Sequence, residues 1–143
     1  MKKCPNQNNM SDTAPKRKDS VMIIDDDKFL LDMYTFKFQE CGCNVDAFLD
    51  PVVALEKIRT GDAKPNIILL DVVMPGMNGF EFLEHLRTEG LAKDASIIML
   101  SNQGQQEDVD KAMSLGASGY IVKASSIPSE VLQKTLSIAD TRK

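Results

Sequence analysis

From Ser20 onward the chain alternates short aliphatic runs with longer segments whose apolar residues recur at helical spacing, whereas residues 1–19 show neither period. The runs are VMII (21–24), VDAF (45–48), NIILL (66–70), SIIML (96–100) and GYIVK (119–123), each followed by a helix-like stretch. Five such repeats are the βα alternation of a parallel sheet. NIILL and SIIML do not alternate with polar residues, the pattern of central strands covered by helices on both faces.

The intervening segments carry their own periodicity. Leu30, Met33, Tyr34, Phe38 and Cys41 fall on one helical face that Gly42 terminates. Pro51 opens a second helix with Val52, Leu55 and Ile58 as its stripe, and Gly61 closes it. A third follows Gly79 and turns Phe82, Leu83 and Leu86 inward. A fourth, over about residues 106–115, buries Val109, Ala112 and Met113. The last begins near Pro128 and repeats Val131, Leu132, Thr135, Leu136 and Ala139.

Right-handed crossovers leave few topologies for such a chain. The expected fold is α/β, a doubly wound five-stranded parallel sheet of flavodoxin-like (βα)5 type with strand order 2-1-3-4-5. One domain spans 20–143, and the polar residues 1–19 form a flexible tail.

Composition narrows the function classes. The 143 residues suit a single core, and 43% hydrophobic against 27% charged residues with a net charge of -4 describe a globular protein with a mildly acidic surface. Charge therefore gives no reason to expect nucleic-acid or membrane-surface binding. No apolar run reaches membrane-spanning length, and the polar N-terminus lacks the apolar middle of a secretory signal, so a cytoplasmic location is expected. Cys4, Cys41 and Cys43 make an odd count with no disulfide framework and are read as reduced thiols.

In an open parallel sheet the ligand crevice lies beyond the carboxyl ends of the strands. Strand one ends in Asp25, Asp26 and Asp27, strand three in Asp71, strand four in Ser101 and Asn102, and strand five in Lys123. Hard oxygen ligands in this number suit Mg2+, which keeps several waters and leaves room for phosphate oxygens. A carboxylate at the crevice can act as a nucleophile toward phosphorus, with Mg2+, Lys123 and Ser101 offsetting charge on the transferring group. Before a cation binds, the crowded carboxylates repel and at least one is harder to ionise. Asp27, just before a helix, has the simpler reading of an N-cap, and His85 that of a solvated surface residue.

IIDDD, LLDVVMPGMNGFEFL, IIMLSN and GASGYIVKA, in that order, resemble the receiver domain of two-component response regulators, over residues 20 to 140. The resemblance implies that Asp71 is the phosphoacceptor, that Asp25 and Asp26 are metal-site acids, and that the backbone carbonyl of Val73 is the third protein ligand to Mg2+. It also implies that Ser101 is the conserved hydroxyl, Lys123 the phosphate-pairing lysine and Tyr120 the switch aromatic. Ala124 stands where the family usually has proline, and Asn102 where it usually has a small residue.

By the same resemblance the protein is a stand-alone, chemotaxis-type switch rather than an enzyme, catalysing only its own phosphotransfer and dephosphorylation. A histidine kinase or phosphotransfer protein supplies the phosphoryl group. A downstream protein reads the α4-β5-α5 face, with the chain a monomer or a weak phosphorylation-dependent dimer. Two alternatives stand beside it. One is a receiver-like binding module that no longer phosphorylates, and the other is a phosphatase of the haloacid dehalogenase type, suggested by Asp-x-Asp in IIDDD but lacking an acidic pair after Lys123.

Overall fold

The computed structural model describes residues 19–123 and 126–142. Its elements are β1 (Ser20–Ile24), α1 (Lys28–Glu40), β2 (Asn44–Phe48), α2 (Pro51–Thr60), β3 (Ile67–Asp71), α3 (Gly79–Thr88), β4 (Ser96–Ser101), α4 (Gln106–Ser114), β5 (Gly119–Val122) and α5 (Pro128–Arg142). All strand pairs are parallel in the order β2-β1-β3-β4-β5, the expected doubly wound flavodoxin-like sheet.

The two faces of the sheet make two cores. On one, Val21, Ile23, Leu69 and Ile98 meet Tyr34 and Phe38 of α1 and Val131 and Leu136 of α5. On the other, Met22, Ile68, Leu70 and Met99 meet Leu55 of α2 and Phe82, Leu83 and Leu86 of α3. β3 and β4 are buried along their whole length, which is why their sequences carry no polar alternation. β2, an edge strand, is largely exposed.

Local signals act where the pattern placed them. Gly42 and Gly61 have φ of 89° and 83°, the left-handed conformation that ends α1 and α2 without a Cβ penalty. Asp50 caps α2 and Pro51 begins it. Asn78 and Glu81 form a reciprocal capping box on α3.

Three helix faces are rotated from the expected ones. α1 buries Leu31 with Tyr34 and Phe38, leaving Leu30 and Met33 half-buried. In α2, Val52 is 51% exposed, and Ala54 takes the inward position beside Leu55 and Ile58. In α4, Met113 is 48% exposed and Ala112 alone is fully buried. α4 is held instead at its C-terminal end, where the Arg87 guanidinium of α3 donates to the carbonyls of Leu115 (3.0 Å) and Gly116 (2.6 Å). The Lys111 ammonium also lies 4.7 Å from the centre of the Phe80 ring.

Asp19, assigned to the tail by its polarity, is buried: its carboxylate accepts from Asn66 Nδ2 at 2.9 Å and its carbonyl from the Asn44 N–H at 2.9 Å. The remainder of the expected tail lies outside the described residues. Cys43 is buried, whereas Cys41 is disulfide-bonded, which corrects the reading of the three cysteines as reduced thiols.

Candidate functional site

Parallel strands deliver their C-terminal ends to one edge, and the polar residues predicted to meet there do so. Asp25 is fully buried, while Asp26 and Asp27 beside it are exposed. Asp25 Oδ1 accepts the Asp27 N–H at 2.9 Å, which fixes the turn out of β1. Asp27 Oδ1 accepts from the Leu30 N–H at 3.2 Å and caps α1, so this third acid has a structural role.

Asp71, at the end of β3, is 5% exposed. A carboxylate oxygen from each of Asp25, Asp26 and Asp71 lies within 4.8 Å of the others. The Lys123 ammonium inserts between two of them, 2.9 Å from Asp25 Oδ2 and 3.3 Å from Asp71 Oδ1. Buried Asp25 Oδ2 has this ion contact but accepts no hydrogen bond of good geometry. Three carboxylates against one ammonium leave surplus negative charge, and an oxygen with spare capacity faces into it. That donor set suits a hard divalent cation such as Mg2+.

Burial pushes the Asp71 carboxyl up, the Asp25 charge pushes it further, and Lys123 opposes both; it titrates at about 7 instead of 3.8. Burial alone would lower the Lys123 pKa, but its close ion contact with Asp25 and the charges of Asp71 and Asp25 outweigh that, and the net shift is upward. The lysine is thus held as an ammonium, and Asp71 is poised between its two protonation states near neutral pH.

Ser101, at the end of β4, is buried, and its Oγ accepts the Gln103 N–H at 3.1 Å, shaping the β4–α4 loop. Tyr120 on β5 is half-buried, and its hydroxyl donates to the Gln103 carbonyl at 2.9 Å. Val73 follows Asp71 into the loop with its side chain 73% exposed. A crevice of about 650 Å³ joins Asp26, Asp71, Val73, Ser101, Asn102 and Lys123. Asp25 sits beneath it.

Two features escaped the sequence reading. Asp108, in the first turn of α4, also lines the crevice, although no motif singled it out. His85 is more than a solvated residue: its Nδ1 lies 3.0 Å from Glu89 Oε2, and Arg59 of α2 reaches the same carboxylate at 2.7 Å. Ala124 lies outside the described residues.

A family model for the response regulator receiver domain matches residues 21–136. Protein PilG of Pseudomonas aeruginosa is 32% identical over 103 residues, which are 72% of this chain and 75% of that protein. Chemotaxis protein CheY4 of Vibrio cholerae superposes with a TM-score of 0.77 at 29% identity, covering 85% of this chain and 99% of that one. CheY of Borrelia burgdorferi, solved in a complex with CheX, BeF3 and Mg2+, superposes at 0.74 with 31% identity over 83% of this chain and 87% of that one. The chain spans about half (48%) of the length of the first curated relatives that it matches. Among the described residues no helix is long and apolar enough to cross a membrane.

Proposed function

We propose, from the premise that the chain belongs to the response regulator receiver-domain family and is a phosphorylation-dependent signalling switch, that Asp71 is the residue that carries the phosphoryl group. The observation behind this reading is the position of Asp71: a buried carboxylate at the mouth of the central strand, facing an ammonium and two further acids. One of its oxygens attacks phosphorus. The bond from phosphorus to the donor breaks, and its electron pair leaves with the donor. The donor is a phosphohistidine on a histidine kinase or phosphotransfer protein.

Asp25, Asp26, Asp71 and the Val73 carbonyl would hold the Mg2+ that receiver domains bind at their acidic pocket. When bound, the ion neutralises charge on the phosphoryl oxygens and on the acids. Lys123 moves from its contact with Asp71 to a phosphoryl oxygen while Asp25 keeps it nearby. Ser101 turns its hydroxyl to another.

Because Ser101 Oγ and the Tyr120 hydroxyl both bond to Gln103, a shift of Ser101 reaches Tyr120 through one residue of the loop. Tyr120 and the α4-β5-α5 face then present a changed surface to a downstream protein, with the chain a monomer or a weak dimer in the cytoplasm. The phosphoryl group leaves by the chain's own hydrolysis, water attacking phosphorus as the bond to the Asp71 carboxylate breaks. Neither the phosphatase nor the silent binding module gains an observation of its own.

The test is the intact mass after incubation with acetyl phosphate, with and without Mg2+, for the native chain and Asp71→Asn. A gain of one phosphoryl group that needs Mg2+ and is lost in the variant is expected. A gain that persists in Asp71→Asn refutes the assignment.

A further inference from the structure

Besides Asp27, which caps α1, the crevice holds one charged group that phosphotransfer, as described above, does not use. Asp108 projects from the first turn of α4 into the same space as Asp71 and Lys123. Among the described residues its carboxylate has no ion pair or hydrogen bond of its own, in contrast to Asp27, which caps a helix, and Asp110, which accepts from Gln106. It is half-buried and lines the crevice together with Asp26. A phosphodonor therefore enters a crevice whose lining adds Asp26, Asp27 and Asp108 to Asp71, with Asn102 and Gln103 as neutral polar groups from the β4–α4 loop.

We infer that Asp108 is a donor-selectivity residue: its carboxylate disfavours small, highly charged phosphate donors and so reserves Asp71 for a phosphoryl group presented by a protein. This rests on the reading of Asp71 as the acceptor. Asp108 does not touch the reacting atoms; it acts on the charge of whatever approaches. Acetyl phosphate is a dianion at neutral pH, and phosphoramidate carries a single net negative charge. Both give Asp71 the same phosphoryl group, one releasing acetate as the P–O bond breaks and the other ammonia as the P–N bond breaks.

A crevice of 650 Å³ is about 9 Å across. At that distance in a water-like dielectric, one carboxylate slows approach of a dianion about fivefold and of a monoanion about twofold. The Debye length at 0.15 M salt is about 8 Å, so the dianion effect falls to less than twofold there.

The experiment measures the second-order rate of phosphoryl gain by intact mass, in Mg2+, for the native chain, Asp108→Asn and Asp108→Lys with both donors at low and at 0.15 M salt. Asp108→Asn is expected to gain about fivefold with acetyl phosphate and about twofold with phosphoramidate at low salt, and most of the difference is expected to vanish at 0.15 M. Asp108→Lys is expected to extend the gain in the same order. Equal factors for the two donors, or factors indifferent to salt, overturn the inference while leaving Asp71 as acceptor. Absence of phosphoryl gain in the native chain with either donor overturns both.

Discussion

Replacing Asp71 by Asn removes one charge from a buried acidic site at nearly constant shape. In the metal-free protein it should make the fold more stable. The carboxyl titrates at about 7 in the folded chain against 3.8 ordinarily. For an acid whose folded pKa is raised, the folded state binds more protons than the unfolded state between those two values. Stability therefore falls as pH rises through that window, and the loss is complete above about 7. The interval, about 7 minus 3.8, corresponds at about 1.36 kcal/mol per pH unit to a ceiling of about 4 kcal/mol.

Asp25 also contacts Lys123 and takes up part of the released attraction when Asp71 is neutral. We therefore expect Asp71→Asn to gain about 2 kcal/mol at pH 8 and close to nothing at pH 4. Urea denaturation followed by far-ultraviolet circular dichroism in EDTA at pH 4, 6 and 8 reads the difference. Adding Mg2+ should narrow it at pH 8, because the cation stabilises the native chain more than the variant. A variant that is no more stable than the native chain at pH 8, or a gain independent of pH, would refute the reasoning.

Thr135 of α5 is fully buried, and among the described residues its Oγ1 has no hydrogen-bond partner. Thr135→Val, which keeps the shape and removes the orphaned hydroxyl, should raise stability by about 1 kcal/mol in the same denaturation assay. Arg87→Ala should lower it by about 1–2 kcal/mol, since the guanidinium satisfies two carbonyls at the end of α4. Hydrogen exchange should show the added opening concentrated in 106–117.

The strands were legible because burial on both faces leaves a direct mark: a short uninterrupted run rich in aliphatic residues suits a strand covered on both faces, and Ile67–Leu70 and Ile97–Leu100 are such runs. Site chemistry was legible for a related reason. Topology alone carries Asp25, Asp71, Ser101 and Lys123 to one edge, wherever the helices settle. Helix phase was harder to read. In α2 and α4 the sequence offers several apolar residues around the circumference: Ala54, which the pattern passed over, and Ala112, which it placed inward, are buried, whereas Val52 and Met113 are exposed. Contacts set by loop geometry left no periodic trace, which is why the approach of Asp108 to the crevice and the sharing of Glu89 by Arg59 and His85 emerged only in three dimensions.

Among the described residues α4 is bound to the rest of the molecule by the fully buried methyl group of Ala112, the half-buried Val109, a cation over a ring and an arginine at its far end, and its N-cap, Gln105, makes no side-chain capping bond. Burying an alanine methyl is worth about 1 kcal/mol, far below the several residues that anchor α3 or α5. Moving this helix therefore costs an amount of the same order as one new charge-assisted contact at the crevice. A lightly anchored helix thus lies beside the acidic crevice, and it can shift at the cost of Ala112 alone among the fully buried residues of the core that it joins.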